Sequence, residues 1–319
     1  MKKLLSIDGG GIRGIVPLML LDVLLKKTQK ILPEAFDVVA GTSTGAIIAL
    51  GLLTPDRKKQ PLYTPKDLLN MYLENAQKIF SSSFWRKVRT AWGFWGADYD
   101  SNSLKNVLEM YFGKQRLSEV LLPVIIPTYS VKENKVTFWS SEIAKQGPSK
   151  DFHLVDIALA ASAAPTYFEP HKFTNIDQSK EFIEVDGGLY ANNPSMIGLS
   201  QTSHIYSNHA VRDYDVLSLG TGTPKPHIKD LKDSLGVYEW VFHQNLIDIM
   251  MNSDNEETLY VVKQIMGKNF QRLQVPLKQD VTMDETDPKK LQGLLEEVKL
   301  YIEENKNTLE SISKKITSS

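Results

Sequence analysis

Short apolar runs that end in glycine clusters alternate with longer stretches of helical periodicity along the first two thirds of the chain. Lys3 to Ile7 is such a run, followed by glycines and by an amphipathic stretch from about Gly14 to Leu32, which predicts strand, tight loop and helix. Phe36 to Ala40 repeats the design, leading through a second glycine-flanked turn into an apolar helix over Ala46 to Leu53. Helices are predicted over Pro65 to Ile79 and Ser103 to Phe112. Strands follow at Val124 to Ser130 and Lys135 to Trp139, joined by a polar turn. A small-residue helix over Val155 to Ala164 stops at Pro165. Phe182 to Val185 and Val216 to Leu219 read as strands running into Asp186-Gly187-Gly188 and Gly220-Thr221-Gly222. Beyond Asp230 the pattern is mostly helical, ending in a charged helix over Pro288 to Lys315. Alternating strands and helices predict a sheet covered on both faces. With no repeat and no linker, residues 1–319 read as one domain with a helical C-terminal portion from about residue 230.

Composition changes this picture mainly by exclusion. A net charge of -1 over 319 residues carries no basic footprint for a nucleic-acid polymer. The absence of cysteine excludes disulfides, a thiol nucleophile and thiolate zinc sites. No metal or cofactor is expected. The apolar run at Leu4 to Ile7 is too short for a signal peptide, and no run is long enough to span a bilayer. These readings predict a soluble, cytoplasmic protein.

Candidate chemistry begins in Asp8 to Gly14, where Gly9, Gly11 and Gly14 fit the spacing of a dinucleotide fingerprint between a strand and a helix. That fingerprint also needs an acidic residue at the end of the next strand. Here Glu34 and Asp37 lie before it or at its start. The same loop suits an oxyanion hole, since consecutive glycines let backbone N–H groups approach a reacting oxygen and the next helix adds its positive end. Gly9, Gly10, Gly11 and Arg13 are the candidates, and a plain tight turn is the third reading.

Gly41-Thr42-Ser43-Thr44-Gly45 fits the nucleophile-elbow pattern, with a strand before it and a helix after it. A serine-rich cap on the helix is the alternative. Ser43 needs a base within reach. None of the six histidines, His153, His171, His204, His209, His227 and His243, sits in a glycine-flanked turn. Asp186 ends a strand and is followed by two glycines that open the backbone around it. An ordinary carboxylate, with a pKa of ~3.9, is a weak base that depends on placement and poor solvation. An Asp in an ordinary turn remains the other reading.

Taken together these motifs resemble patatins and the bacterial patatin-like phospholipases. The likeness rests on DGGGIRG at Asp8 to Gly14, GTSTG at Gly41 to Gly45, ASAAPTYF at Ala161 to Phe168 and DGGLYANNP at Asp186 to Pro194, in that order. The paired strands over Ile125 to Ser141 and the segment near Met283 are also similar. The resemblance implies an α/β fold, a three-layer α/β/α sandwich with a mostly parallel central sheet. It further implies a Ser43–Asp186 dyad, an oxyanion hole in the glycine loop, and hydrolysis of fatty acyl esters of phospholipids, lysophospholipids or galactolipids without calcium. Some bacterial relatives are switched on by cyclic dinucleotides, so a small-molecule activator stays open, as does a Ser-His-Asp esterase. Phe84 to Trp95 departs from the pattern. It holds three of the five tryptophans among basic residues, and Arg89, Trp92 and Trp95 are read as a peripheral membrane contact or an aromatic cluster over the core.

Overall fold

A computed structural model describes residues 1–80, 101–223 and 246–318. Among the described residues eight strands form one sheet: β1 (Lys2–Ile7), β2 (Val38–Gly41), β3 (Val124–Ser130), β4 (Lys135–Ser140), β5 (His171–Thr174), β6 (Glu181–Asp186), β7 (Tyr214–Leu219) and β8 (Phe270–Leu273). β8, β7, β1, β2 and β3 run parallel, and β4, β5 and β6 add antiparallel pairings at one side.

The alternation of side chains along these strands sorts the core into two layers. Leu5, Ile7, Val39, Val124, Ile126, Leu217 and Leu219 point to one face. They meet α1 (Ile15–Thr28), α2 (Thr44–Leu53), α3 (Pro65–Phe80), α4 (Ser101–Phe112) and α5 (Leu154–Ser162). Leu4, Val38, Ala40, Ile125 and Val216 point the other way, toward α6 (Ser195–Ile205) and α7 (Leu246–Met266). The result is helix, sheet, helix. α8 (Pro288–Glu304) and α9 (Lys306–Thr317) complete the first layer, where Leu309, Ile312 and Ile316 join the core beside α1. Every residue of α2 is buried, as expected of a helix apolar on all sides. α3 starts at a reciprocal cap, in which the Thr64 N–H donates to the Asp67 carboxylate and the Asp67 N–H to the Thr64 hydroxyl.

Several predicted elements shift. The first helix ends at Thr28, with Gln29 in left-handed backbone and a separate turn at Leu32–Ala35. The C-terminal portion is not wholly helical. Phe270–Leu273 pairs with β7 as a parallel edge strand, and Asn305 divides the last helix in two.

The pairing around β3 brings the ends of β2 and β6 together. β4 covers one edge of β3 from Ile125 to Ser130, so β2 and β6 share the other edge. β2 lies parallel to β3 at Val124 and Ile125, and β6 lies antiparallel to it at Thr128 to Ser130. The two strands therefore point at one another, and their C-terminal ends face each other near Pro127. A side chain on Gly187 would run into the Pro127 carbonyl, which explains a glycine at that junction.

Candidate active site

The parallel strands β1, β2 and β7 all deliver their C-terminal loops to one edge of the sheet, the usual place for an α/β site. After β2 the chain turns sharply at Ser43, whose φ of 53° and ψ of -122° are strained for any residue but glycine. Two close approaches make the turn fit. A Cβ on Gly41 would overlap the Gly45 carbonyl, and one on Gly45 would overlap the carbonyl of Ile7. The turn is held by the Thr42 N–H donating to the Ile7 carbonyl (3.2 Å) and the Thr42 hydroxyl donating to the Ala191 carbonyl (2.6 Å). Ser43 is thereby presented at the N-terminus of α2.

Asp186, the last residue of β6, arrives from the opposite direction. Its N–H donates to the Ala163 carbonyl (3.1 Å), and its Oδ1 accepts from the Gly188 N–H (2.7 Å). Burial pushes the Asp186 carboxyl up to about 7, opposed by the Ser43 hydroxyl and the Gly188 amide. Oδ2 is buried and makes no hydrogen bond of normal geometry, which leaves one acceptor uncommitted beside Ser43. The buried, barely solvated carboxyl is thus brought into the pH range where a base works well.

The glycine loop lies alongside. A Cβ on Gly9 would meet the Ser43 side chain and Asn192. The Gly9 N–H already donates to the Asn192 carbonyl (3.0 Å), and the Ile12 N–H to the Met283 carbonyl (2.8 Å). Gly10 and Gly11 make no backbone hydrogen bond through N–H among the described residues. Their φ angles of 157° and 57° turn the loop, and Gly11 reaches the same pocket as Ser43. Arg13 is buried within the same turn.

Ser43 and Asp186 line an apolar pocket that is partly open to solvent; about 780 Å³ of empty space lies in and before it, open solvent included. α3 lines it with Met71, Tyr72 and Ile79, and α4 with Leu104, Val107 and Leu108. Met251 of α7 and Met283 add flexible thioethers. The Tyr72 hydroxyl is hydrogen-bonded to that of Thr44, so it brings little free polarity. The apolar lining suits a ligand with a hydrocarbon portion. Of the histidines in the described residues, His171 pairs with Asp156 (3.0 Å) and none lines the pocket. Arg89, Trp92, Trp95, His227 and His243 lie outside the described residues.

Two contributors were not visible in the motifs. Arg272 of β8 forms a two-pronged ion pair with Asp8, and Asp254 of α7 accepts the Asn193 N–H (3.2 Å) just beyond the Asp186 turn.

The Patatin-like phospholipase family matches residues 5–198, more than half of the chain. The chain belongs to the patatin-like phospholipase family. It is similar to Patatin-like protein 2 of Arabidopsis thaliana, with 35% identity over 77% of this chain and 67% of that protein. Patatin-like protein 4 of the same plant is 32% identical over 91% of this chain and 80% of its own. Patatin group J-1 of Solanum tuberosum is 35% identical over 70% of this chain and 61% of its own. Among solved structures, VipD from Legionella pneumophila aligns over 97% of this chain and 67% of that one, with 11% identity and a TM-score of 0.46, too loose a likeness to argue from. Membership implies lipid acyl hydrolase activity. No helix among the described residues is long and apolar enough to cross a membrane.

Proposed function

We propose that the protein hydrolyses fatty acyl esters of membrane lipids, in the manner of a phospholipase A or lysophospholipase, through a Ser43–Asp186 dyad. The observation that carries this reading is the meeting of β2 and β6 end to end on one edge of β3. That register supports a strained serine and a poorly solvated carboxylate acting at the mouth of one apolar pocket.

In the proposed reaction the acyl chain occupies the pocket and the ester carbonyl lies against Ser43. Asp186 Oδ2 takes the Ser43 proton as Oγ bonds to the carbonyl carbon, and the carbonyl π pair moves onto oxygen. The Gly10 and Gly11 amides receive that oxyanion, aided by the N-terminal end of the following turn and helix. The intermediate collapses, the ester C–O bond breaks, and Asp186 returns the proton to the departing alcohol. Water then repeats the sequence on the acyl-serine, with Asp186 again as base, releasing the fatty acid. The engaged Gly9 amide is left as a brace for the loop, and Arg13 supports the turn.

Fatty-acid release from mixed phospholipid vesicles tests the reading. Wild type should release fatty acid, and Ser43→Ala should lower the rate by at least ~10³. Equal release by both proteins would remove Ser43 from the chemistry. The tryptophan- and arginine-rich segment supports a second element, peripheral contact with the lipid surface through Arg89, Trp92 and Trp95. Replacing all three by alanine should cut vesicle binding while turnover of a soluble short-chain ester persists. Unchanged vesicle binding would end that proposal.

A further inference from the structure

The family match ends at residue 198, yet the glycine loop is held from the chain beyond it. The Asp8 N–H donates to the Leu219 carbonyl (3.0 Å), and the Thr221 hydroxyl to the Gly9 carbonyl (2.7 Å). The tightest of these holds is on the Asp8 side chain. Arg272 Nη1 donates to Asp8 Oδ1 at 2.8 Å and to the Ser218 hydroxyl at 2.7 Å, and Arg272 Nη2 donates to Asp8 Oδ2 at 2.5 Å. The Asp8 side chain is 1% exposed and that of Arg272 8% exposed. Burial pushes the Asp8 carboxyl up, and the Arg272 guanidinium works against that shift.

We propose that Arg272 is a positioning residue for the oxyanion loop, acting through Asp8; the inference rests on the hydrolase reading above. It has two physical parts. A planar two-pronged pair fixes the direction of the Asp8 side chain, and with it the backbone leaving β1 toward Gly10 and Gly11. The guanidinium also cancels a carboxylate that stands two and three residues ahead of the proposed oxyanion donors, Gly10 and Gly11. Without it, Asp8 either keeps an uncompensated negative charge near a developing oxyanion or takes up a proton and gives up its bonds. Neither part concerns the apolar pocket, so ground-state binding of the acyl chain is untouched. Lysine cannot reproduce the fork, because it offers a point charge in place of parallel donors.

The test compares wild type, Arg272→Lys, Arg272→Met and Asp8→Asn/Arg272→Met, each checked for a cooperative thermal transition. The substrate is a p-nitrophenyl fatty ester. Two probes separate the states: a fatty trifluoromethyl ketone, whose adduct with serine carries an oxyanion, and the uncharged fatty alcohol of the same length, which only fills the pocket. The expected result is a fall in kcat of tenfold or more in Arg272→Lys, with KM within about twofold. Affinity for the ketone should fall in parallel, while affinity for the fatty alcohol holds. The neutral double variant should recover part of the loss seen in Arg272→Met, because it removes the stranded charge. Should Arg272→Met fail to fold, Arg272→Lys and the double variant carry the same readouts. Unchanged kcat in folded Arg272→Lys, or equal losses for ketone and fatty alcohol, would overturn the inference while the hydrolase reading stands. No Ser43-dependent turnover by wild type would overturn both.

Discussion

At the scale of single residues, the proposed reaction turns on the state of the Asp186 carboxyl. Its displacement to about 7 has a clear cause, loss of water around the charge, opposed by hydrogen bonds from Ser43 and Gly188. In the proposed dyad the base works only when ionised, so kcat/KM should rise about tenfold per pH unit below 7 and level off above it. Fold stability moves in the opposite sense. An acid raised in the folded state binds its proton more tightly there than in the unfolded chain, so stability is greatest below its ordinary value and falls as pH climbs from about 4 to about 7. Asp254, pushed up to about 6 mainly by burial, is the neighbour with which the limb is most easily confused. The measurement is kcat/KM against pH for wild type and Asp254→Asn on a soluble ester. A limb near 7 in both assigns it to Asp186. A profile flat down to pH 5 would contradict the assignment.

At the scale of elements, α3 and α4 form the wall that sets what the pocket accepts. Leu104 is buried and faces the cavity from α4, so Leu104→Trp should shorten the space for an acyl chain. Each methylene denied burial forfeits ~0.8 kcal/mol, roughly fourfold in kcat/KM. The variant should therefore lose ~50-fold on a long-chain p-nitrophenyl ester if three methylenes are displaced, and keep its rate on a butyrate ester. An equal loss on both esters would mean that Leu104 does not line the acyl path. Elements also show where the sequence was readable. β1, β2, β6 and β7 stood out because their short apolar runs close on glycine, and β3 because its apolar run ends in a polar turn. β5 and β8 did not, since HKFT and FQRL are short, half polar and lie at the sides of the sheet. Ser43 and Asp186 were legible from local turn chemistry. The engagement of the Gly9 amide was not, because its partner Asn192 is brought beside it only by the fold. Nor was the Asp8–Arg272 pair, whose members are 264 residues apart.

At the scale of the whole molecule, the chain beyond the family match serves the site in two separable ways. β7, β8 and the segment through Met283 touch the glycine loop directly. α8 and α9 instead extend the core behind α1. Leu309 is fully buried there, Lys3 Nζ donates to the Ile316 carbonyl (2.6 Å), and Lys315 pairs with Asp215 (3.2 Å). A variant in the first group should damage transition-state stabilisation, whereas one in the second should damage folding alone. Leu309→Ala removes buried methyl groups from a packed layer and should lower the unfolding free energy by about 2–5 kcal/mol. Urea unfolding should show this as a lower midpoint at unchanged slope. Well below the melting temperature its kcat/KM should match wild type, because α9 forms none of the pocket and none of the loop contacts. A fall in kcat in Leu309→Ala at full native population would mean that the helical layer couples to the catalytic edge through α1, and the division into scaffold and site would have to be redrawn.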